Sequence, residues 1–288
     1  MATSVLVTGS HGRTGKLVVQ ALSHRKAEVV AFVRDQVQLE EMSTIGASSI
    51  AVGDMNSPDS ISAAMKGRDA IVHIGPPMHP NEKTITSHFV KAAKAAGVGR
   101  FIYYSVMHPL RRQVRHHSLK LDTEEMLIES GLPYTIIQPI RYMQHLEPIW
   151  KRVVEEGVHA MPFNTHVKFN VVDLLDLAQA TAIMTLEKGW LYGTFELAGP
   201  DPLSQSDMAN IISKVIGRPV KAEQIPIELM KERAFAGGAS DDRVAQMATM
   251  NEHYDDFGFL GNSRVLDMVL NRRSTTFESY VQRLSDKG

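Results

Sequence analysis

The stretch Val5-Leu6-Val7-Thr8-Gly9-Ser10-His11-Gly12-Arg13-Thr14-Gly15 decides the architecture of this chain. An apolar run ends at a threonine, glycines follow at spacings of three and three, and a helical pattern then continues to about Ser23. In that order, strand, glycine turn and helix start build an anion cradle. The first glycine permits the tight turn, the second admits a pyrophosphate to the backbone, and the third lets helix and strand pack closely. N–H groups of the first helical turn, aided by the helix dipole, then hold the anion. Gly9, Ser10, His11, Gly12, Arg13, Thr14 and Gly15 are therefore the candidate phosphate-binding residues.

Outward from this loop the alternation repeats. Apolar runs at 29–33, 49–52, 70–74, 101–105 and 134–138 read as strands. Helical stretches lie between them. One starts at Ser57-Pro58, one runs from about Thr84 to a stop at Gly97, and one from about His116 to Gly131-Leu132-Pro133. Strands without polar alternation are those of a parallel sheet buried on both faces. The predicted fold is α/β, a Rossmann doubly wound parallel sheet with helices on both faces, over residues 1–140. A smaller C-terminal substrate lobe, 141–288, is expected to be partly interleaved with that sheet. Within it, 168–172 and 194–198 read as strands, and 174–187 and 206–216 as helices. A closing helix follows Thr275, with Thr275 and Glu278 spaced as a capping box. The paired glycines of 235–240 mark that stretch as a candidate mobile loop.

Composition excludes much. The 288 residues carry 31 Lys+Arg against 32 Asp+Glu and no cysteine. Disulfides, thiolate metal centres and a cysteine nucleophile are ruled out, and the balanced charge speaks against a nucleic-acid surface. No apolar run reaches the roughly 20 residues that span a bilayer, and the start lacks a signal-peptide pattern. The expected location is cytoplasmic, with no membrane or nucleic-acid partner. Twelve histidines produce no metal motif, and adjacent His116 and His117 point to different helix faces. The oligomeric state is left open.

The end of the second strand selects the dinucleotide. A carboxylate there binds the 2′-hydroxyl of NAD, whereas the strand ends Val33-Arg34. A guanidinium clasps a 2′-phosphate in bidentate fashion, so Arg34, seconded by Arg13, favours NADP(H) over a merely solvated strand-end charge. Asp35 one step later weakens that preference. Asp54-Met55 and Gly75-Pro76 follow the third and fourth strands on the carboxyl edge where ligands bind. Asp54 either accepts from the adenine amino group or shapes its own turn.

With these pieces in hand, the sequence resembles the NmrA-like group of atypical short-chain dehydrogenases. The likeness rests on Val7-Thr8-Gly9-x-x-Gly12-x-x-Gly15, Val33-Arg34, Gly53-Asp54, Phe101-Ile102-x-x-Ser105, the Lys120 helix and Gly193-x-Phe195-x-Leu197. It implies NADPH-dependent reduction of quinones, triphenylmethane dyes or related acceptors. It equally implies the group's non-reacting members, which sense the dinucleotide and act through protein contacts. The resemblance gives Lys120 the place of the ribose-binding lysine and Ser105 that of the family serine. Tyrosine's usual place, four residues before the lysine, is taken by His116. Its imidazole either donates a proton near neutral pH or shapes the pocket while water supplies the proton. The segment Gln138-Pro139-Ile140-Arg141-Tyr142-Met143-Gln144-His145 stands where relatives line the nicotinamide and substrate pocket. Pro139 is expected at the cofactor, and Tyr142 is either a substrate-side donor or core. The expected partner is a small conjugated molecule such as a quinone or unsaturated carbonyl compound.

Overall fold

The structure is a computed structural model that describes residues 2–287. Its strands are β1 (Ser4–Val7), β2 (Glu28–Val33), β3 (Ser49–Val52), β4 (Ala70–His73), β5 (Arg100–Tyr104) and β6 (Tyr134–Pro139). They are followed by β7 (Arg141–Tyr142), β8 (Val158–Met161), β9 (Lys168–Phe169), β10 (Val171–Val172), β11 (Gly193–Leu197), β12 (Leu203–Ser204) and β13 (Lys221–Gln224). The helices of the first half are α1 (Arg13–His24), α2 (Leu39–Thr44), α3 (Pro58–Met65), α4 (Glu82–Ala96) and α5 (Arg115–Glu129). Then come α6 (Trp150–Glu156), α7 (Leu174–Leu186), α8 (Gln205–Ile216), α9 (Ile227–Ala236), α10 (Asp241–Phe257), α11 (Arg264–Leu270) and α12 (Phe277–Ser285).

One seven-stranded sheet has the order β11-β6-β5-β4-β1-β2-β3. The pairs from β3 through β6 are parallel, with Val5 opposite Val29 on one side and Ala70 on the other. Every residue of β1 and β4 is buried, which explains their continuous apolar character. Chain order reverses between β1 and β4. In folds of this kind ligands bind at such a switch point, outside the carboxyl ends of the strands.

The chain divides into two compact units. The first takes in residues up to Leu110, His117–Gln138 and Leu177–Phe195; the second takes in Arg111–His116, Pro139–Asp176 and Glu196 onward. Most of helix α7 and most of β11 thus go with the first. Phe32, Phe89, Phe101 and Tyr103 lie in its core with Leu6 and Ile71. In the second unit Met143, Val153, Met208, Ile212, Tyr280 and Val281 pack together, and three two-stranded ribbons pair β7 with β10, β8 with β13 and β9 with β12.

Local chemistry sets the helix ends. Ser57 caps α3 with Pro58 in its first turn, Ser204 and Asp207 form a reciprocal capping box on α8, and Gly97 ends α4 in the left-handed conformation. At the closing helix the expected box is replaced. Thr276, not Thr275, is the cap, and its hydroxyl accepts from Ser279 N at 3.1 Å, because Thr275 N is taken by the Asp176 carboxylate at 2.6 Å. The glycine pair of 235–240 is a short helix connection. Phe235 and Ala236 close α9, Gly238 has φ of 80°, and Ser240 caps α10.

Candidate active site

Thr8 fastens the end of β1 to the end of β4. Its Oγ1 accepts from Ile74 N at 2.9 Å and lies 2.9 Å from His73 Nδ1, while His73 Nε2 lies 3.1 Å from Thr86 Oγ1. The chain then turns at Gly9, whose φ of 61° and close approach to the Ile74 carbonyl both demand glycine. A Cβ there would stand 2.8 Å from that oxygen. Gly12 N donates to Gly9 O at 3.0 Å and opens α1. Gly15 packs on the same turn: a Cβ on it would fall 2.1 Å from Gly9 O.

At α1 the cap is glycine, no side chain caps it, and no acid lies in the first turn. By contrast α3, α8, α10 and α12 carry hydroxyl caps. The backbone therefore presents an N-terminus fit for an external anion. Ser10 turns its side chain away, donating to Phe32 O at 2.8 Å and binding the loop to β2, so its share of the cradle is backbone. His11 reaches Glu41 at 2.8 Å, beside Lys16, and these neighbours hold the Glu41 carboxyl below its usual range. Arg13 and Thr14 begin α1, Arg13 exposed.

Arg34 is exposed at the end of β2, and no carboxylate among the described residues pairs with it. Asp35 is occupied elsewhere, its carboxylate accepting from Val37 N at 3.0 Å to cap a short turn. Asp54 accepts from Asn56 N at 2.8 Å and Asn56 Nδ2 at 3.0 Å; these bonds, and more weakly the Arg34 charge, hold its carboxyl below the ordinary value. Met55 packs against the core, and Pro76 is half-buried after β4.

Beneath Gly75 lies a network of buried charge. The Lys120 ammonium contacts Glu82 Oε1 and donates to Tyr104 O at 2.7 Å, 5.0 Å from the Tyr103 ring centre. Tyr103 donates its phenol to the same Glu82 oxygen at 2.8 Å. Lys120 is 6% exposed and Glu82 is sealed, with Oε2 meeting no donor. Gly75 packs closely over it: a Cβ there would stand 3.3 Å from Glu82 Oε1. Burial, reinforced by Glu82, pushes the Tyr103 phenol well above its usual range. Glu124, one turn beyond Lys120, is raised by burial, an effect moderated by the Ser105 hydroxyl and the Gln138 amide. Gln138 Nε2 donates to both Glu124 oxygens, at 2.8 and 3.0 Å.

The structure thus joins Gly9, Gly75 and Lys120 through Ile74 and Glu82 in one unit, with buried Ser105 after Tyr104. His116 lies half-buried one turn before Lys120 on α5. His117 is fully buried, with Nδ1 2.9 Å from His108 O; the helix turns this face into the core. Pro139, buried, and Tyr142, half-buried with its ring 5.6 Å from His145, belong to the second unit. Glu82 and Tyr103 had no signal in the sequence. Glu124 had one, since it stands four residues from Lys120 on one helix face.

Buried imidazoles make stability depend on acid. Burial, with the Lys120 charge adding, pulls His73 down to about 3, and burial pulls His159 down to about 4. The unfolded chain protonates both near pH 6.5, while the folded chain resists until far lower. Stability is therefore complete above pH 6.5 and is lost as the pH falls toward about 4. The loss at pH 5 is about 2 kcal/mol per histidine. Glu124, raised, acts the other way as it takes up its proton. Urea midpoints at pH 7 and pH 5 measure the difference, and His73→Asn with His159→Asn is expected to flatten it. An undiminished slope in that variant would assign acid sensitivity to other groups.

A model of the NmrA-like family matches residues 1–281. The chain belongs to the NmrA-like family. It is similar to the NAD(P)H azoreductase of Xenophilus azovorans, 30% identical over 252 residues, which cover 87% of this chain and 86% of that protein. Among solved structures it resembles the Escherichia coli NADPH-dependent quinone oxidoreductase QOR2 complexed with NADPH. That match has a TM-score of 0.86 at 22% identity and covers 98% of this chain and 99% of the other. The Citrobacter sp. triphenylmethane reductase complexed with NADP(H) gives 0.85 at 23% identity, covering 97% and 99%. No helix among the described residues of this family member is long and apolar enough to cross a membrane.

Proposed function

We propose that this protein is an NADPH-dependent reductase that transfers hydride to a small conjugated acceptor, a quinone or an unsaturated carbonyl compound. The observation that carries the reading is the uncapped N-terminus of α1 behind Gly9, Gly12 and Gly15, with the unpaired cation Arg34 at the end of β2. Relatives named for azo, quinone and triphenylmethane reduction support a conjugated acceptor.

The backbone of Gly9 to Gly15 holds the pyrophosphate, and Arg34, seconded by Arg13, holds the 2′-phosphate. Bound NADPH supplies a hydride, and one proton completes reduction of a quinone to a hydroquinone. Lys120 has two of its three N–H groups committed, to Glu82 and Tyr104. Its third is assigned to the nicotinamide ribose, its direction set by the other two. The proton comes from His116 or from water; Asp54, Met55, Gly75, Pro76 and Ser105 are assigned to the dinucleotide on their positions after strands β3, β4 and β5.

Calorimetric titration with NADPH, NADP+ and NADH tests the cofactor assignment. NADPH is expected to bind at least ~10-fold more tightly than NADH, and Arg34→Ala to erase that preference, since one charged clasp is worth about 1.5–3 kcal/mol. NADPH oxidation is then followed with quinones, enones and azo dyes, using wild type and His116→Ala. Tight binding without turnover would replace the reductase with an NADP(H)-sensing regulator that acts through protein contacts. Absence of dinucleotide binding would remove both readings.

A further inference from the structure

Two buried carboxylates, Glu82 of α4 and Glu124 of α5, stand near a single ammonium, that of Lys120. Lys120 is in contact with Glu82 Oε1, so that pair carries no net charge. Glu124 lies one turn further along α5, and among the described residues no Lys, Arg or His pairs with it. Its carboxyl accepts from Gln138 Nε2 at 2.8 and 3.0 Å and lies beside the Ser105 hydroxyl, and both of these neighbours are neutral. The remaining titratable groups of the cluster stay uncharged. Burial lifts the Tyr103 phenol well above its usual range, and it keeps the His73 imidazole neutral down to about 3. Glu124 therefore sets the net charge of the cluster, zero with its proton and minus one without it. Burial raises this carboxyl, against the lowering by Ser105, Gln138 and the Lys120 charge, so it holds its proton to a higher pH than an exposed glutamate does.

A nicotinamide ring is neutral in NADPH and positively charged in NADP+. The inference rests on the reading that the third Lys120 N–H meets the nicotinamide ribose, which brings that ring to the cluster. Charges act on one another strongly where water is excluded, so an anionic cluster favours the oxidised ring and a neutral cluster does not. We infer that Glu124 selects the oxidation state of the bound dinucleotide, giving up its proton when NADP+ binds and keeping it when NADPH binds. Glu82 does not act in this way, because its charge is answered by the ammonium in contact with it. The sign follows from linkage. A cation brought close to an acid makes the proton leave more readily, and a ligand that expels a proton binds more tightly as the pH rises. The preference for NADP+ over NADPH therefore grows as the pH climbs through the Glu124 titration and fades below it. His116, an ionisable imidazole one turn before Lys120, would act with the same sign, so the test has to separate the two.

Affinities of the full chain for NADP+, by calorimetry, and for NADPH, by its fluorescence, are measured from about pH 5.5 to about pH 8 in phosphate-free buffers. The 2′-phosphate is common to both dinucleotides, so its own titration cancels in their affinity ratio. In wild type the ratio is expected to move toward NADP+ by at least ~10-fold over that range. Glu124→Gln is expected to flatten it, and His116→Gln to keep the wild-type slope. Calorimetry in two buffers of different ionisation heat counts the proton directly, and NADP+ should release a larger fraction of one than NADPH does. Should Glu124→Gln fail to fold, that count on wild type and His116→Gln decides alone. A flat wild-type ratio with equal proton release overturns the inference and leaves the cofactor reading standing, because both dinucleotides still bind. A slope that survives in Glu124→Gln, or one that vanishes in His116→Gln, overturns it as well. If neither dinucleotide binds, the cofactor reading fails and this inference falls with it.

Discussion

Gly15→Ala abolishes dinucleotide binding, with an affinity loss of at least ~100-fold in the NADPH titration. The added methyl would stand 2.1 Å from Gly9 O and 2.6 Å from Ser10 Cα. Both obstacles are backbone, so no rotamer change relieves them. Helix α1 must move off the loop, or the loop must abandon the turn that Gly12 N closes onto Gly9 O. Either movement disperses the donors that have to converge on one phosphate, and preorganised geometry is what gives such donors their strength. Overpacking should also cost about 1–3 kcal/mol of stability. Gly189→Ala is the control, because nothing lies within 4 Å of a Cβ there. It should bind NADPH as wild type and change stability by no more than about 0.5 kcal/mol. Wild-type affinity in Gly15→Ala would mean that the cradle is not where the dinucleotide lies.

Removing the Lys120 ammonium has the largest expected effect on stability. Glu82 is fully buried, one of its oxygens meets no donor and the other depends on Lys120 and Tyr103. Lys120→Met leaves that carboxylate without its cation, and breaking a buried pair in this way costs about 3–5 kcal/mol. Solvent cannot screen the loss, since the two side chains are 7% and 0% exposed. Adding Glu82→Gln to Lys120→Met should recover most of it, because a neutral amide replaces the stranded charge. The double-mutant cycle therefore predicts a coupling of several kcal/mol between positions 82 and 120. A double variant no more stable than Lys120→Met would show that the two charges do not support one another. The cycle is run without dinucleotide, so it reports the pair and not the ligand.

These effects differ in how far the sequence foretold them. The Gly9 to Gly15 loop was legible because its geometry is local: one strand end, one turn and one helix start within a dozen residues. The same holds for Ser57-Pro58 and Gly97, where the residue type directly selects a backbone conformation. At the closing helix local spacing misled, since Thr275 and Glu278 fit a box but Asp176 had already claimed the Thr275 amide. A competitor 99 residues away in sequence settled that contest.

Residue types and their short-range spacing by themselves determined the α/β class, the parallel buried strands, the glycine turn between β1 and α1, and the cation in place of a carboxylate after β2. Tertiary structure alone decided which distant groups share a dry space. It brought Glu82 of α4 to Lys120 of α5, kept His73 neutral, returned β11 to the edge of the sheet, and set Gln138 of β6 against the Glu124 carboxyl. Backbone preferences act within a few residues and are written into them directly. Burial and charge pairing depend on which elements become neighbours, and that is known only once the chain has folded.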